Sequence, residues 1–488
     1  MNKILEMMDR TMRAFFMPPS RKMRWLNIGW CVLLIVLGAG LWAKFLNFGN
    51  IPFDYHDWAE INAPRLAFVK DALTQGVLPL HMNDASALRN ITDRYLSLPD
   101  AIVSPQLFLL KFLSVGQFVL LDTLLLYGLG AWGLICLKRR LKLSPFTFSI
   151  LFLLFNLNGH LLAHYSVGHI TWAGTFLFSW FILLVLDLLD GDKSWAWVAK
   201  MAGLLFVIYL QGSFHQFVWA LLFLGFLAIS HWPRFWPIFK AGLFAGLLSA
   251  IRLLPPFLLL DQFDDEFLGG YPTLVDLVKS LFVIVPPEKS LEVRSMLSNL
   301  GWWEYDMYLG LMGTMILFVF GLGFWMKKLL KGKGIYPHLF FPMLALTLLS
   351  IGRIYRVMRL IPVPLFSGER ASIRMLLLPV LFLIVLAVVY LQKWINKHDL
   401  ADQVKARLLG FSILLVVIHD LWQHLKVWQV TAAFEAFPTT PVNLAIKVAA
   451  NHVDAPYTNI LWLGSGLTLL SMLVLIGLVI WERRKADS

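Results

Sequence analysis

Cysteine is almost absent: the chain of 488 residues holds two, Cys31 and Cys136. Both fall inside apolar runs, so no disulfide framework is readable and they read as small core residues. Charge is also scarce. Asp, Glu, Lys and Arg make up 15 % of the residues, where an ordinary soluble domain carries about 25 %. Acids are the rarer sign, 30 against 42 Lys+Arg. No fixed-period repeat and no low-complexity tract interrupt the chain, which excludes solenoids and biased tails. No soluble domain is expected at either end. A cleavable signal peptide is not readable either. The first apolar run is too long, lacks a small-residue cleavage site and follows a polar, amphipathic lead-in, so it is expected to stay as the first span.

Apolar residues are what the chain has in excess, 58 % hydrophobic with 14 % aromatic, against about 45–50 % apolar in soluble domains. Hydropathy predicts about twelve crossings, at roughly 25–46, 117–137, 145–163, 170–189, 198–211, 214–230, 238–260, 306–326, 338–351, 373–391, 408–422 and 460–481. The net charge of +12 comes mainly from basic residues scattered at span ends. It therefore records topology and not nucleic-acid binding. The expectation is an all-α polytopic membrane protein with both termini cytoplasmic. Residues 1–488 would form one transmembrane domain with outer loops at about 47–103, 261–305, 352–374 and 422–459. Interfacial helices are expected in the first outer loop near 65–76, with a short interfacial or re-entrant helix at 104–114.

The first outer loop opens with Pro52-Phe53-Asp54-Tyr55-His56-Asp57-Trp58-Ala59-Glu60. Acids held this close to lipid are expensive and ask for a role. At i, i+3 and i+6, Asp54, Asp57 and Glu60 would share a helical face and raise one another's pKa. That suits a general base or an oxygen site for a divalent metal, Mg or Mn. A solvated first helical turn is the plain alternative.

Three further sets carry chemistry. His160 and His164 are i, i+4, with His169 following at a tight hairpin. They are candidates for substrate binding or proton traffic beside His56, and without an intervening Glu they form no zincin motif. His215 tops the next hairpin. Arg353, Arg356, Arg359, Arg370 and Arg374 form a basic cluster expected on the outer side, where a planar guanidinium fork is the natural partner of a phosphate. Snorkelling to headgroups is its alternative. Trp303, Glu304 and Tyr305 offer aromatic faces and an acid to a sugar, or serve simply as an aromatic belt. Asp264, Asp265 and Glu266 read as a solvated loop or a weak cation site.

Acids just past the first span, a basic residue and the ending Gly76-Val77-Leu78-Pro79-Leu80 resemble the first outer loop of the GT-C superfamily of membrane glycosyltransferases, in its YfhO-like bacterial branch. Tyr305-Asp306-Met307-Tyr308-Leu309-Gly310-Leu311, Gly168-His169 and Pro364-Leu365-Phe366-Ser367-Gly368-Glu369-Arg370-Ala371-Ser372-Ile373-Arg374 are similar to further segments of that branch. A strict Asp-Glu pair is absent. The resemblance implies an enzyme of the bacterial cytoplasmic membrane with an outward-facing site. It would move a sugar from a polyprenyl-phosphate-linked donor to a glycan, lipid or protein acceptor, with inversion. Asp54 or Asp57 would be the catalytic base, and Arg370 and Arg374, with Arg353 or Arg356, would hold phosphate. The competing expectation is a transporter or flippase of a lipid-linked or anionic substrate.

Overall fold

The computed structural model describes residues 2–18, 23–262, 269–292, 300–358 and 369–487. Arg359, the segment 364–368 and Asp264, Asp265 and Glu266 lie outside them. Helix starts follow local chemistry. Ser114 opens the helix Val115–Leu141 with a capping box, its Oγ accepting from Gln117 N while the Gln117 side chain accepts from Ser114 N. Ser144, Asn158 and Ser194 cap Pro145–Asn156, Gly159–Ser166 and Trp195–Leu210, each satisfying one orphan N–H of the first turn.

The described residues form an all-α, multi-pass integral membrane protein. Isolated bridges are the only extended pairings among them. Seven helices are long and apolar enough to cross a bilayer, or eight if Trp232–Leu248 and Ala250–Leu259, bent by 60°, form one span. The expected twelve crossings are therefore not reached by length and composition alone. Three expected crossings are shorter apolar helices, Trp195–Leu210, Phe214–Ser230 and Pro337–Leu349, and a fourth falls in Val404–Val427, of 24 residues.

Burial sorts the spans. In Pro145–Ser166 and Ser372–Lys397, 94 % and 89 % of the most apolar stretch is buried, against 22 % in Arg24–Phe45 and 17 % in Ala455–Ala486. The first pair is the interior, and stacked rings such as Phe223 and Phe382, 4.5 Å apart, close around it. The second pair stands at the rim with Val32, Val36, Leu37, Leu469, Leu470 and Leu473 pointing outward. Only lipid satisfies so apolar an exterior.

The bundle has two unlike ends. At one, Arg13 pairs with Asp402, Arg407 with Asp9, and Arg140 with both Asp187 and Asp190. Glu482 accepts from Trp195 N nearby. These pairs bring both termini to the basic end. A cavity of about 580 Å³ bordered by Asp190, Tyr336, His338 and Lys393 also opens there.

The long loops gather at the opposite end. The helix Ala63–Gln75, closed by Gly76 at φ +72°, and the 3₁₀ helix Pro105–Lys111 stand where interfacial helices are expected. The buried Arg252 guanidinium donates to the carbonyls of Leu96, Leu98, Pro99 and Ala101 at 2.9–3.2 Å and so clamps the first loop onto the bent span.

Candidate functional site

The site is built where the first loop lands on the hairpin after the most buried span. Tyr55 OH and Trp58 Nε1 both donate to Ser166 O, at 2.5 and 3.1 Å, and Asn62 Nδ2 donates to Gly168 O at 2.6 Å. Gly168 is required for this approach. It sits at φ +103°, and a Cβ there would meet Trp58 N at 2.6 Å and the Asp57 carbonyl carbon at 2.9 Å. Just before Asp57 the chain turns through a left-handed residue, His56 at φ +44°, a conformation that is strained outside glycine. The π-helical turn Trp58–Asn62 follows.

This turn separates the two candidate bases. Asp54 lies before it and is exposed, its carbonyl accepting from Thr440 N at 2.8 Å. It therefore does not share a helical face with Asp57, and Glu60 too is exposed. Asp57 points inward, with Oδ2 2.9 Å from His169 Nε2 and Oδ1 3.5 Å from His56 Nδ1. The expected mutual raising of pKa by clustered acids is reversed here. Burial alone would raise the Asp57 carboxyl, but the His169 hydrogen bond and the charges of His169, His56 and Arg89 outweigh it and bring it down to about 2. The His56 imidazole is shifted down by burial, against the pull of Asp57.

From Asp57 a chain of polar contacts runs into the interior. His169 Nδ1 and His164 Nδ1 are 2.6 Å apart, and His164 Nε2 lies 3.6 Å from Glu304 Oε2. Arg374 grips Glu304 with Nε to Oε2 at 2.6 Å and Nη2 to Oε1 at 2.5 Å, while its Nη1 is 3.2 Å from His215 Nε2. The opposite nitrogen, His215 Nδ1, is 3.0 Å from Glu369 Oε2, which also accepts from Trp219 Nε1 at 2.9 Å. Trp172 packs the centre, its ring stacked 4.2 Å from His164 and lying 4.9 Å below the Arg374 guanidinium.

Beside this chain, Trp172 Nε1 donates to His160 Nε2, and His160 Nδ1 is 3.3 Å from Asp306 O. Asp306 Oδ2 in turn meets His424 Nε2 at 2.8 Å and Trp302 Nε1 at 3.1 Å.

Asp57 and Arg374 thus belong to one network, carried by the two most buried spans and the loops that open onto them. Its electrostatics differ from the expected phosphate pocket. Asp57, Glu304, Asp306 and Glu369 share it with the Arg374 guanidinium, whose fork is occupied by Glu304. Arg353 and Arg356 are exposed on the helix Gly352–Met358, and Arg370 is half-buried beside Glu369. Trp303 and Tyr305, expected to stack on a sugar, are buried. Trp303 presents an edge to His56 at 4.7 Å, and the Tyr305 carbonyl accepts from Tyr271 OH at 2.7 Å. Both act as packing that supports the network.

A divalent ion has two places in which to sit. His56, Asp57 and His169, and likewise His164, His169 and Glu304, each bring three ligand atoms within 4.8 Å of one another. Among the described residues the buried His164 Nε2 has no hydrogen-bond partner, and it faces Glu304 Oε2 at 3.6 Å. Two imidazoles with one carboxylate suit Mn²⁺ or Zn²⁺ better than Mg²⁺, which asks for oxygen.

Glu369, His424 and Trp172 were not singled out by the sequence as site residues, and Asp306 entered only as the end of the Trp302–Asp306 stretch that offers acids and aromatics to a sugar. Glu369 is visible only as the neighbour of Arg370, and the Asp306–His424 pair spans 118 residues. Asp122, buried mid-helix and accepting from Gln106 at 2.7 Å and Gln211 at 2.6 Å, was missed as well. An acid inside an apolar run is the signal that flags it. Comparison with protein-family models, curated proteins and solved structures returned no match.

Proposed function

We propose that this chain is a GT-C-like glycosyltransferase of the bacterial cytoplasmic membrane with its site facing outward. It takes a sugar from a polyprenyl-phosphate-linked donor and passes it to a glycan, lipid or protein acceptor. The observation that carries the reading is the Asp57–His169 contact of 2.9 Å. It puts an ionised carboxylate, 23 % exposed, at the mouth of a polar network that otherwise lies inside the bundle. Burying so many titratable groups among apolar helices is unfavourable without a function.

In the proposed reaction the acceptor oxygen attacks the anomeric carbon, and Asp57 Oδ2 takes the hydroxyl proton late, once bond formation has made it acidic, because a carboxylate of so low a pKa is a weak base toward a free hydroxyl. The anomeric C–O bond to phosphate breaks, and the polyprenyl phosphate leaves with the bonding pair. A single displacement of this kind inverts the anomeric centre. His169 orients Asp57, and its other nitrogen contacts His164, so positive charge can be shared along the imidazoles toward Glu304. In this scheme Arg370 and Arg374, with Arg353 or Arg356, contact the phosphate, Arg374 doing so beside its bonds to Glu304. His164, His169 and Glu304 would hold a divalent ion while leaving Asp57 free as the base, and such an ion would supply positive charge against the departing phosphate.

The experiment is transfer from undecaprenyl-phosphate-linked hexoses by the purified protein in proteoliposomes. Asp57→Asn should abolish transfer with folding intact, and Asp54→Asn should not. Undiminished transfer by Asp57→Asn removes the base from the scheme.

One observation favours a second reading. Polar contacts run from Asp57 through His169 to His164, and from Glu304 through Arg374 and His215 to Glu369, with a 3.6 Å step between His164 and Glu304, an arrangement that resembles the ionisable chains of proton relays. A proton-coupled transporter or flippase would use it to protonate a carrier site. The series, however, stays with the loops at one end of the bundle. In that reading, Asp57→Asn abolishes pH-gradient-driven movement of a fluorescent lipid-linked sugar, and no glycosidic bond forms in the wild type.

A further inference from the structure

A third donor cluster lies apart from this network, where the first and last long loops meet. His81 is fixed on both sides by the backbone. It bridges to Arg94, its carbonyl accepts from Ala449 N at 2.9 Å, and the adjacent Met82 bridges to Val448. Its buried ring places Nδ1 3.1 Å from Asp93 Oδ2, and the same oxygen lies 2.8 Å from Nε2 of the more exposed His452. The two imidazoles stack with centroids 4.0 Å apart. One ligand atom from each of the three residues lies within 4.8 Å of the others.

The surroundings match what a metal-bound histidine needs. The opposite nitrogen, His81 Nε2, faces Asp454 Oδ2 at 3.7 Å. Asp454 is itself held by Arg94 through both oxygens, at 2.6 and 3.1 Å. A carboxylate behind the ring, braced in turn by a guanidinium, places negative charge at the far nitrogen of a ligating imidazole, here at 3.7 Å, and so favours the metal-bound ring. Plain hydrogen bonding of two imidazoles to one carboxylate would need no such brace on the far side of His81.

We propose that His81, Asp93 and His452 bind a divalent transition ion of the zinc class. Two imidazole nitrogens and one carboxylate oxygen select such an ion over Mg²⁺ or Ca²⁺, and the exposed side of His452 leaves a position for water. The ion ties the last loop to the first. That loop also carries Thr439 and Thr440, which pair with Tyr55 and with the Asp54 carbonyl. Occupancy therefore steadies the turn that carries Asp57, whatever reaction Asp57 serves.

The test uses the full-length protein in detergent, stripped with a chelator and titrated with ZnCl₂, and with CoCl₂ for its visible spectrum. His452→Ala and Asp93→Asn should each lose one bound equivalent relative to wild type, with an unchanged circular dichroism spectrum. Zn²⁺ should protect residues 440–454 from protease in the wild type and not in His452→Ala. Asp57→Asn should retain this equivalent and the protection, which separates the site from the central network. Stoichiometry and Co²⁺ spectra identical in wild type, His452→Ala and Asp93→Asn would overturn the proposal, as would a wild type that takes up no zinc.

Discussion

Arg374 and Glu304 form a two-pronged ion pair, 2.6 and 2.5 Å long, with Glu304 buried and Arg374 partly buried. It ties the start of the interior span Ser372–Lys397 to the start of Trp302–Leu329. Breaking a buried pair from one side strands the other charge, which typically costs about 3–5 kcal/mol, whereas removing both is much milder. Arg374→Met should therefore lower unfolding free energy by about that amount. Adding Glu304→Gln should restore much of it. A double-mutant cycle on denaturant unfolding in detergent measures this, and strictly additive losses would show that the pair is not coupled.

Asp57 gives a pH signature. Its carboxyl falls from the ordinary 3.8 to about 2 in the folded protein. The stability this confers is complete above pH 3.8 and is lost as pH falls toward 2. Acid unfolding followed by tryptophan fluorescence should be steeper for wild type than for Asp57→Asn within that window. Above pH 3.8 Asp57 stays ionised, so its own titration adds nothing to the difference between the two there. A wild-type loss of stability between pH 5 and 6 that Asp57→Asn abolishes would contradict the assignment.

Gly168 and Gly76 both sit at positive φ, yet they should respond differently to alanine. At Gly168 a Cβ runs into the backbone of Trp58 and Asp57, while at Gly76 nothing lies within 4 Å. Gly76→Ala should therefore cost only left-handed strain, about 1–2 kcal/mol. Gly168→Ala adds a clash that pushes Asp57 off His169, and should lower the melting temperature further and abolish function. Equal melting temperatures for the two variants would exclude the close approach.

Arg252 is expected to govern the first loop from a distance. Its donors to Leu96, Leu98, Pro99 and Ala101 hold the stretch that ends beside Asp100, a carboxyl that pairs with Arg65 at 3.1 Å. Arg252→Met takes a donor from each of these carbonyls, of which Leu98 O keeps Ala101 N at 3.3 Å, a loss of about 1–3 kcal/mol for each one left unpaired where water does not replace the donor. Limited proteolysis should then cut within 95–103, which the wild type resists. Resistance in the variant would mean that the clamp is dispensable.

Local rules carried the reading of the sequence as far as single elements. The i, i+4 spacing of His160 and His164 held, their rings 4.3 Å apart on one helix. Gly76 ended the helix Ala63–Gln75 where the Gly-x-x-Pro-Leu stretch begins. What local rules could not show is which partners the folded bundle brings together. The extended reading of Asp54, Asp57 and Glu60 as one face failed because His56 turns left-handed between the first two. Arg374 looked like an anion-binding side chain because Glu304, 70 residues earlier, is not its neighbour in sequence. The bridges that seat the first loop on the last likewise join residues hundreds of positions apart.

The central claim, that Asp57 removes the acceptor's proton, is tested most directly by the transfer rate of Asp57→Asn beside wild type. The substrate is undecaprenyl-phosphate-linked hexose in proteoliposomes, with both proteins shown to fold. Loss of a general base predicts a fall of about a hundredfold to ten-thousandfold. A wild type that forms the glycosidic bond no faster than Asp57→Asn would contradict it.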